Sequence, residues 1–268
     1  MNTVIPENFR LCENKFRQLL TNRHFGKTFF FFESVTSTFD AAKNLALSHG
    51  DVVCARVQTG GVGRMGRQWS SDEGGIYFSL ILCPSEKYKE FQLLTNACAL
   101  GVQKALSHYT ECKIKWPNDI VSKSGKKLCG ILTKGYFKGD GKPLFNVGIG
   151  INANTTAFDS TIKFAGSLKT ECNEWVDENE VLAQVLSETE QIIENENTEK
   201  LIEEYSGVCI TLEKPVKIIY PKTGREVAGK ALRIDTDGSL VVETETHGTI
   251  WVNSGEVSVR GIYDESYV

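Results

Sequence analysis

Within residues 58–69 the chain places four glycines, two arginines and a tryptophan. Glycines let a backbone come close to a ligand, and the N–H groups freed in such a loop can cradle a phosphate. Arginine offers a planar charge that phosphates and carboxylates pair with, and Trp69 can close over a flat or apolar body. The combination calls for a ligand that is anionic at one end and apolar at the other. Three further clusters have residue types that could serve it. In Lys115-Trp116-Pro117-Asn118-Asp119, the proline restricts the chain to an extended turn and two polar side chains stand at a strand entrance. A plain turn closed by an Asx hydrogen bond would read the same way. In Lys126-Lys127-Leu128-Cys129-Gly130-Ile131-Leu132, a lysine enters a buried strand with a glycine three residues on, and could aim an ammonium at a ligand. A basic turn after Ser124-Gly125 is the simpler account. In Gly148-Ile149-Gly150-Ile151-Asn152-Ala153-Asn154, alternating glycines leave one side of a strand as bare backbone. A flat ligand or a neighbouring strand can then lie close, with Asn152 ending the strip.

Other glycine-loop chemistries fit less well. Gly61-Val62-Gly63 follows a strand, as in a dinucleotide fold, but Arg64 and Arg67 interrupt the small-residue helix start. No acidic residue ends a second strand about twenty residues on, where a ribose would need one. No G-K-[ST] closes the run as a Walker loop would. A mobile surface loop leaves Arg64, Arg67 and Trp69 without a purpose.

The elements that must position these residues follow from periodicity. Residues 7–24 read as a short amphipathic helix with Phe9, Phe16, Leu19 and Leu20 on its apolar side, and 28–32 as a strand. Ser37-Thr38 suits an N-cap ahead of a helical pattern in Ala41, Ala42, Leu45 and Ala46. Residues 52–57, feeding the glycine loop, and 76–83 read as strands, and 91–106 as a helix. Strands follow at 113–115, 120–121, 128–133 and 144–151. The acidic segment 178–205 contains helix, its charge a solvated face. After Gly207 the texture changes to short strands at 216–220, 225–234, 240–243 and 249–252, separated by turn signals. The expected organisation is an N-terminal helical segment 1–27, an α+β core 28–207 and a small β-barrel 208–268.

The bulk composition is that of an ordinary globular chain: 268 residues, 41% hydrophobic and 24% charged, argue against disorder. A net charge of −4 argues against general nucleic-acid binding. The eight cysteines form no C-x-x-C pair and the four histidines are scattered, so a structural zinc site is not expected. With no secretory signal, free thiols point to a reducing cytoplasm. The longest apolar run, 29–32, is far too short to span a bilayer.

Each cluster has a plain explanation alone; their order together does not. The sequence resembles the biotin protein ligase family, whose loop reads G-R-G-R-x-G-R-x-W and is followed by K-W-P-N-D, K-L-x-G-I-L and G-I-G-I-N. The resemblance continues into Lys214-Pro215-Val216-Lys217 and Gly255-Glu256-Val257-Ser258-Val259-Arg260. It implies that 28–207 is a catalytic domain with a mixed β-sheet flanked by helices and 208–268 an SH3-like β-barrel. It also implies an ATP-dependent ligase that joins biotin to AMP and then transfers it to a lysine of a biotin carboxyl carrier domain. By resemblance, Ser37, Thr38 and Gln58 would hold the ureido ring. Phe39, Gly61, Val62, Gly63, Tyr77 and Gly130 would line the biotin pocket. Arg64 and Lys127 would be catalytic, clamping carboxylate and phosphate, with Trp69 covering the ligand. Met65, Gly66, Arg67, Asn118, Asn152 and Arg260 would serve the nucleotide, with Mg²⁺ entering on ATP and no metal ligand assigned to the protein. The implied partners are biotin, ATP and the carrier domain, with no nucleic acid or membrane, and with room for a homodimer.

Two positions depart from the family. Val62 stands where the loop's first cation is usual, and Phe39 replaces the asparagine of S-T-N. Lipoate or octanoate ligases and transferases share the superfold, but the arginine-rich loop and Trp69 argue against them. A biotin-dependent transcription regulator would need a winged domain ahead of the core, for which the N-terminal segment is too short. A catalytically dead biotin binder would not need both Arg64 and Lys127.

Overall fold

A computed structural model describes residues 5–83, 90–137, 143–160, 162, 164–220, 223–254 and, for the backbone, 258–261. Alternating apolar residues give seven strands of one mixed sheet: β1 (Phe29–Val35), β2 (Val52–Gln58), β3 (Gly75–Leu82), β4 (Cys112–Lys115), β5 (Asp119–Ser122), β6 (Lys127–Phe137) and β7 (Pro143–Asn152). Their order is β1-β2-β3-β7-β6-β5-β4, with β1 and β2 parallel and the other neighbours antiparallel. The helices are α1 (Glu13–Leu19), α2 (Thr38–Lys43), α3 (Phe91–Leu106), α4 (Leu168–Cys172), α5 (Glu178–Asn195) and α6 (Thr198–Val208). Alternation along the strands assigns the two faces. Val52, Cys54 and Leu80 join the main core beneath α3 and α5, whereas Val53 and Ile81 pack with Ala42 of α2 on the opposite face. Helix α3 is buried on nearly every side, and its buried polar residues Gln92, Thr95, Asn96 and Gln103 are each hydrogen-bonded.

The N-terminal helix is shorter than its periodicity predicts. A 3-10 turn at Glu7–Phe9 and α1 are separated by a kink, and the chain after Leu19 is not helical. The cause is tertiary. Glu178 accepts from the N–H of Leu11 at 2.8 Å and Asn179 from that of Cys12 at 2.8 Å. Glu190 accepts from the N–H groups of Arg23, His24 and Phe25 at 2.6–3.0 Å. Charge-assisted bonds of this kind outweigh a few residues of helix propensity. The acidic segment is likewise two helices, parted at Glu196 (φ 48°) and recapped by Asn197, whose side chain accepts from Lys200 N.

The C-terminal strands β8 (Pro215–Tyr220), β9 (Arg225–Ile234), β10 (Leu240–Thr244), β11 (Gly248–Val252) and β12 (Ser258–Gly261) form an antiparallel sheet ordered β11-β10-β9-β8-β12. Among the described residues no pairing closes β11 onto β12. Residues 255–257 of the Gly255–Arg260 motif and the Arg260 side chain lie outside the described residues. The small sheet is tied to the core by Trp116 N–H donating to Thr211 Oγ1 (2.9 Å), Asn96 Nδ2 to the Gly238 carbonyl (3.1 Å) and Ser254 N–H to Gln92 Oε1 (3.3 Å).

Candidate active site

β7 is two strands in one. Val147, Ile149 and Ile151 face the main core, while Gly148, Gly150 and Asn152 face the other way. Above those glycines lies a cleft of about 600 Å³, within the range of small-molecule sites. Close approach is what its floor requires. A Cβ on Gly150 would stand 2.6 Å from Trp69 Nε1, one on Gly130 of β6 would be 2.8 Å from Trp69 Cζ3, and one on Gly148 would overlap the Phe39 ring. Trp69 Nε1 is buried with no acceptor among the described residues.

The loop reaches the cleft as a pinched hairpin. Gln58 pairs with Ser71 and Val62 with Gln68, and Gly63 N–H donates to the Arg67 carbonyl at 2.7 Å. Its tip is a 3-10 turn over Arg64–Gly66 with Met65 in the left-handed region at φ 56°. The hairpin turns Arg64 inward, where Nη1 donates to Asn118 Oδ1 at 3.0 Å and Nη2 to the carbonyl of Ser254 in the small sheet. Burial lowers the Arg64 pKa from its usual value, an effect that Asp119 opposes and Arg67 reinforces; a guanidinium stays charged nonetheless. Arg67 is exposed and makes no side-chain bond among the described residues.

Lys127, at the start of β6, has Nζ 2.7 Å from Asp119 Oδ1 and 5.1 Å from the Trp69 ring centre, in cation–π range. Asn118 is fixed by its Nδ2 bond to the Ile131 carbonyl (2.7 Å), and Asn152 by bonds to the carbonyls of Lys127 (3.2 Å) and Gly166 (2.9 Å). At the other end, Gln58 Oε1 accepts from Thr38 N–H and Gln58 Nε2 donates to Ser71 Oγ, both at 2.8 Å. Thr38 Oγ1 accepts from Ser79 Oγ at 3.0 Å, which leaves its own hydrogen to donate. The Tyr77 hydroxyl donates to the Asp72 carbonyl at 2.8 Å, and burial raises its pKa, so it stays protonated. Burial also raises the Cys129 thiol and removes it as a nucleophile.

The cleft therefore gathers thirteen of the expected residues: Thr38, Phe39 and Gln58 at one end, Trp69, Tyr77 and Gly130 across the middle, Arg64, Asn118 and Lys127 at the other, with Val62, Gly63, Arg67 and Asn152 around them. Four do not line it. Ser37 is buried as the N-cap of α2, its Oγ accepting from Asp40 N. Gly61 lets the hairpin close, since a Cβ there would stand 2.5 Å from both Ser71 Oγ and the Trp69 carbonyl. Met65 and Gly66 form the exposed tip. Sequence reasoning missed the wall to which Thr155, Phe158, Ile162 and Phe164 contribute, aligned by Lys127 N–H donating to the Phe164 carbonyl at 2.6 Å. Its one sequence signal was a pair of aromatics just after the glycine strand.

Residues 31–154 match the model of the biotin/lipoate A/B protein ligase family, and residues 211–260 that of the biotin protein ligase C-terminal domain. The bifunctional ligase/repressor BirA of Bacillus subtilis is 33% identical over 265 residues, 90% of this chain and 77% of that protein. The chain belongs to the biotin protein ligase family. Other members agree. The biotin–[acetyl-CoA-carboxylase] ligase of Mycobacterium tuberculosis is 29% identical, with 78% of each chain covered. The biotin protein ligase of Aquifex aeolicus, solved in complex with biotin and ATP, superposes with a TM-score of 0.76 at 30% identity, covering 88% of this chain and 99% of that one. The biotin protein ligase family is one of ATP-dependent ligases, and its mixed-sheet core and small C-terminal sheet are the ones found here.

Proposed function

We propose that the chain activates biotin with ATP to biotinyl-5′-AMP and pyrophosphate, then transfers biotin to a lysine amine of a biotin carboxyl carrier domain, releasing AMP. The observation that carries this is the polarity of the cleft. From β2, which carries Gln58, to β6, which carries Lys127, the sheet crosses three strand spacings, about 14 Å. Thr38, Gln58 and Phe39 stand at one end and Arg64, Asn118 and Lys127 at the other. An acid lying on the glycine floor with its carboxylate at the cationic end has its head beside Thr38 and Gln58. The spare Thr38 hydrogen suits a ureido carbonyl and the second Gln58 Oε1 lone pair suits a ureido N–H. The buried Trp69 indole N–H is a donor available to an oxygen of the ligand.

In adenylation the carboxylate attacks the α-phosphorus, and negative charge grows on the phosphoryl oxygens. Lys127 and Arg64 are cations already placed for that charge, which is where electrostatic catalysis gains most. Asp119 holds the Lys127 ammonium in place until ligand oxygens compete for it, and is the candidate to take a proton from the acceptor lysine in the second step. Asn118 and Asn152 serve the nucleotide side, with Arg67, Met65 and Gly66 of the loop and Arg260 of β12. Mg²⁺ would enter on the polyphosphate and shield it there.

The division into 1–27, 28–207 and 208–268 belongs to the same proposal, as do action in the cytoplasm without nucleic acid or membrane and the option of a homodimer. Among the described residues no helix is long and apolar enough to cross a membrane. The test is ATP–pyrophosphate exchange by the purified protein. Exchange that depends on biotin and is not driven by lipoate or octanoate supports the proposal; exchange driven by lipoate alone overturns it.

A further inference from the structure

Phe39 replaces an asparagine of the family pattern, and its surroundings show what the replacement does. Ser37 caps α2, so that Phe39, the helix's second residue, is turned down onto the sheet and is 5% exposed. The ring lies on the bare backbone of Gly148, where a Cβ would overlap it. Lys134 Nζ stands 4.4 Å from its centroid. Phe39 lines the cleft and Lys134 does not, so the ring separates the head end of the cleft from the ammonium and from the exposed carboxylate of Asp40 beyond it.

We propose that Phe39 is a specificity-determining stopper: it closes the head end of the biotin cleft and sets the longest head group the ligase admits. This rests on the reading of the cleft as a biotin site. Three features support a wall rather than a passing contact. The ring is seated on a position that only glycine can supply. Its other side is held by a cation–π contact. It also stands over Gly148, the β7 residue paired with Ser79, whose hydroxyl donates to Thr38, so a head group seated at Thr38 has the ring as its neighbour. An asparagine is smaller than this ring and would leave part of the space over Gly148 open towards Lys134. A cleft closed by Phe39 discriminates by size, and loss of the ring should relax that discrimination without reversing the order of the cleft.

The test compares kcat/KM for biotin with that for a biotin derivative carrying a propyl group on a ureido nitrogen, measured by pyrophosphate exchange at saturating ATP. Phe39→Ala should lower the preference for biotin by about tenfold or more, the scale on which apolar pockets discriminate a few methylenes. Phe39→Leu, which keeps most of the buried volume and guards against a misfolded variant, should lower it by less. Adding Gly148→Ala to Phe39→Ala places a methyl over the strand and should restore part of the preference. An unchanged preference in Phe39→Ala and Phe39→Leu, with biotin-dependent exchange in the native protein, overturns the stopper alone. Absence of biotin-dependent exchange in the native protein overturns the reading of the site and the stopper with it.

Discussion

The two ends of the cleft are held by different means. At the head end, Thr38, Gln58, Ser71 and Ser79 bond one another, and all come from α2 and the β2–β3 half of the sheet. The network is complete within itself and has valences to spare. At the cationic end, Arg64, Asn118, Asp119 and Lys127 are brought in by a loop, two strands and the small sheet, and Arg64 reaches a carbonyl 190 positions away in sequence. The head end is local and rigid by construction. The cationic end is an assembly whose charges are in place only when the whole molecule is folded. Catalysis belongs to the assembled end and recognition to the local one, so variants at the two ends should fail differently.

The largest effect is expected at Lys127. Lys127→Ala should slow pyrophosphate release about a hundredfold, roughly 3 kcal/mol for one preorganised charge, while the KM for biotin moves little. An unaltered rate would remove Lys127 from the chemistry. Arg64→Gly should speed loss of biotinyl-AMP by roughly tenfold to a hundredfold, the scale of a charge-assisted hydrogen bond at 1.5–3 kcal/mol. Because the Arg64 link to Ser254 goes with it, the small sheet should also become more open to amide exchange at 254. An unchanged off-rate would place Arg64 outside the adenylate site. Thr38→Val acts at the opposite end: Ser79 Oγ, fully buried, loses its acceptor, which should cost about 1–3 kcal/mol of stability. The KM for biotin should rise with kcat nearly unchanged, and a fall in kcat alone would erase the contrast between the ends. The smallest effect is at Val62, 39% exposed on the cleft rim. Val62→Arg, restoring the family's usual cation, should tighten the adenylate by no more than about threefold, since exposed charges contribute under about 1 kcal/mol. No change in affinity would mean that Arg64, Arg67 and Lys127 already meet the demand.

The head end was legible in sequence because its signals are local. Ser37 reads as an N-cap and is one, and the apolar spacing of 91–106 gives α3 to the residue. The alternation in β7 announced a bare face, and the structure adds what covers it, Phe39 and Trp69. No local signal marks Asn152 as spent on the carbonyls of Lys127 and Gly166. The N-terminal helix was misjudged because the groups that end it, Glu178 and Glu190, lie more than 160 positions away. Helix α4, five residues with a Ser167–Thr170 capping box, is too short for periodicity to reveal. The stretch after β7 has neither period, so the wall that Phe158 and Phe164 help to form appears only when Lys127 binds the Phe164 carbonyl. What periodicity can carry is the element; what joins elements across the sheet it cannot.

The most direct test of the account is the mass of a biotin carboxyl carrier domain after incubation with this protein, biotin and Mg·ATP. The account predicts a gain of one biotinyl group on a lysine, lost when ATP is omitted and strongly slowed by Lys127→Ala. No gain with biotin, or a gain only when lipoate is supplied instead, would contradict it.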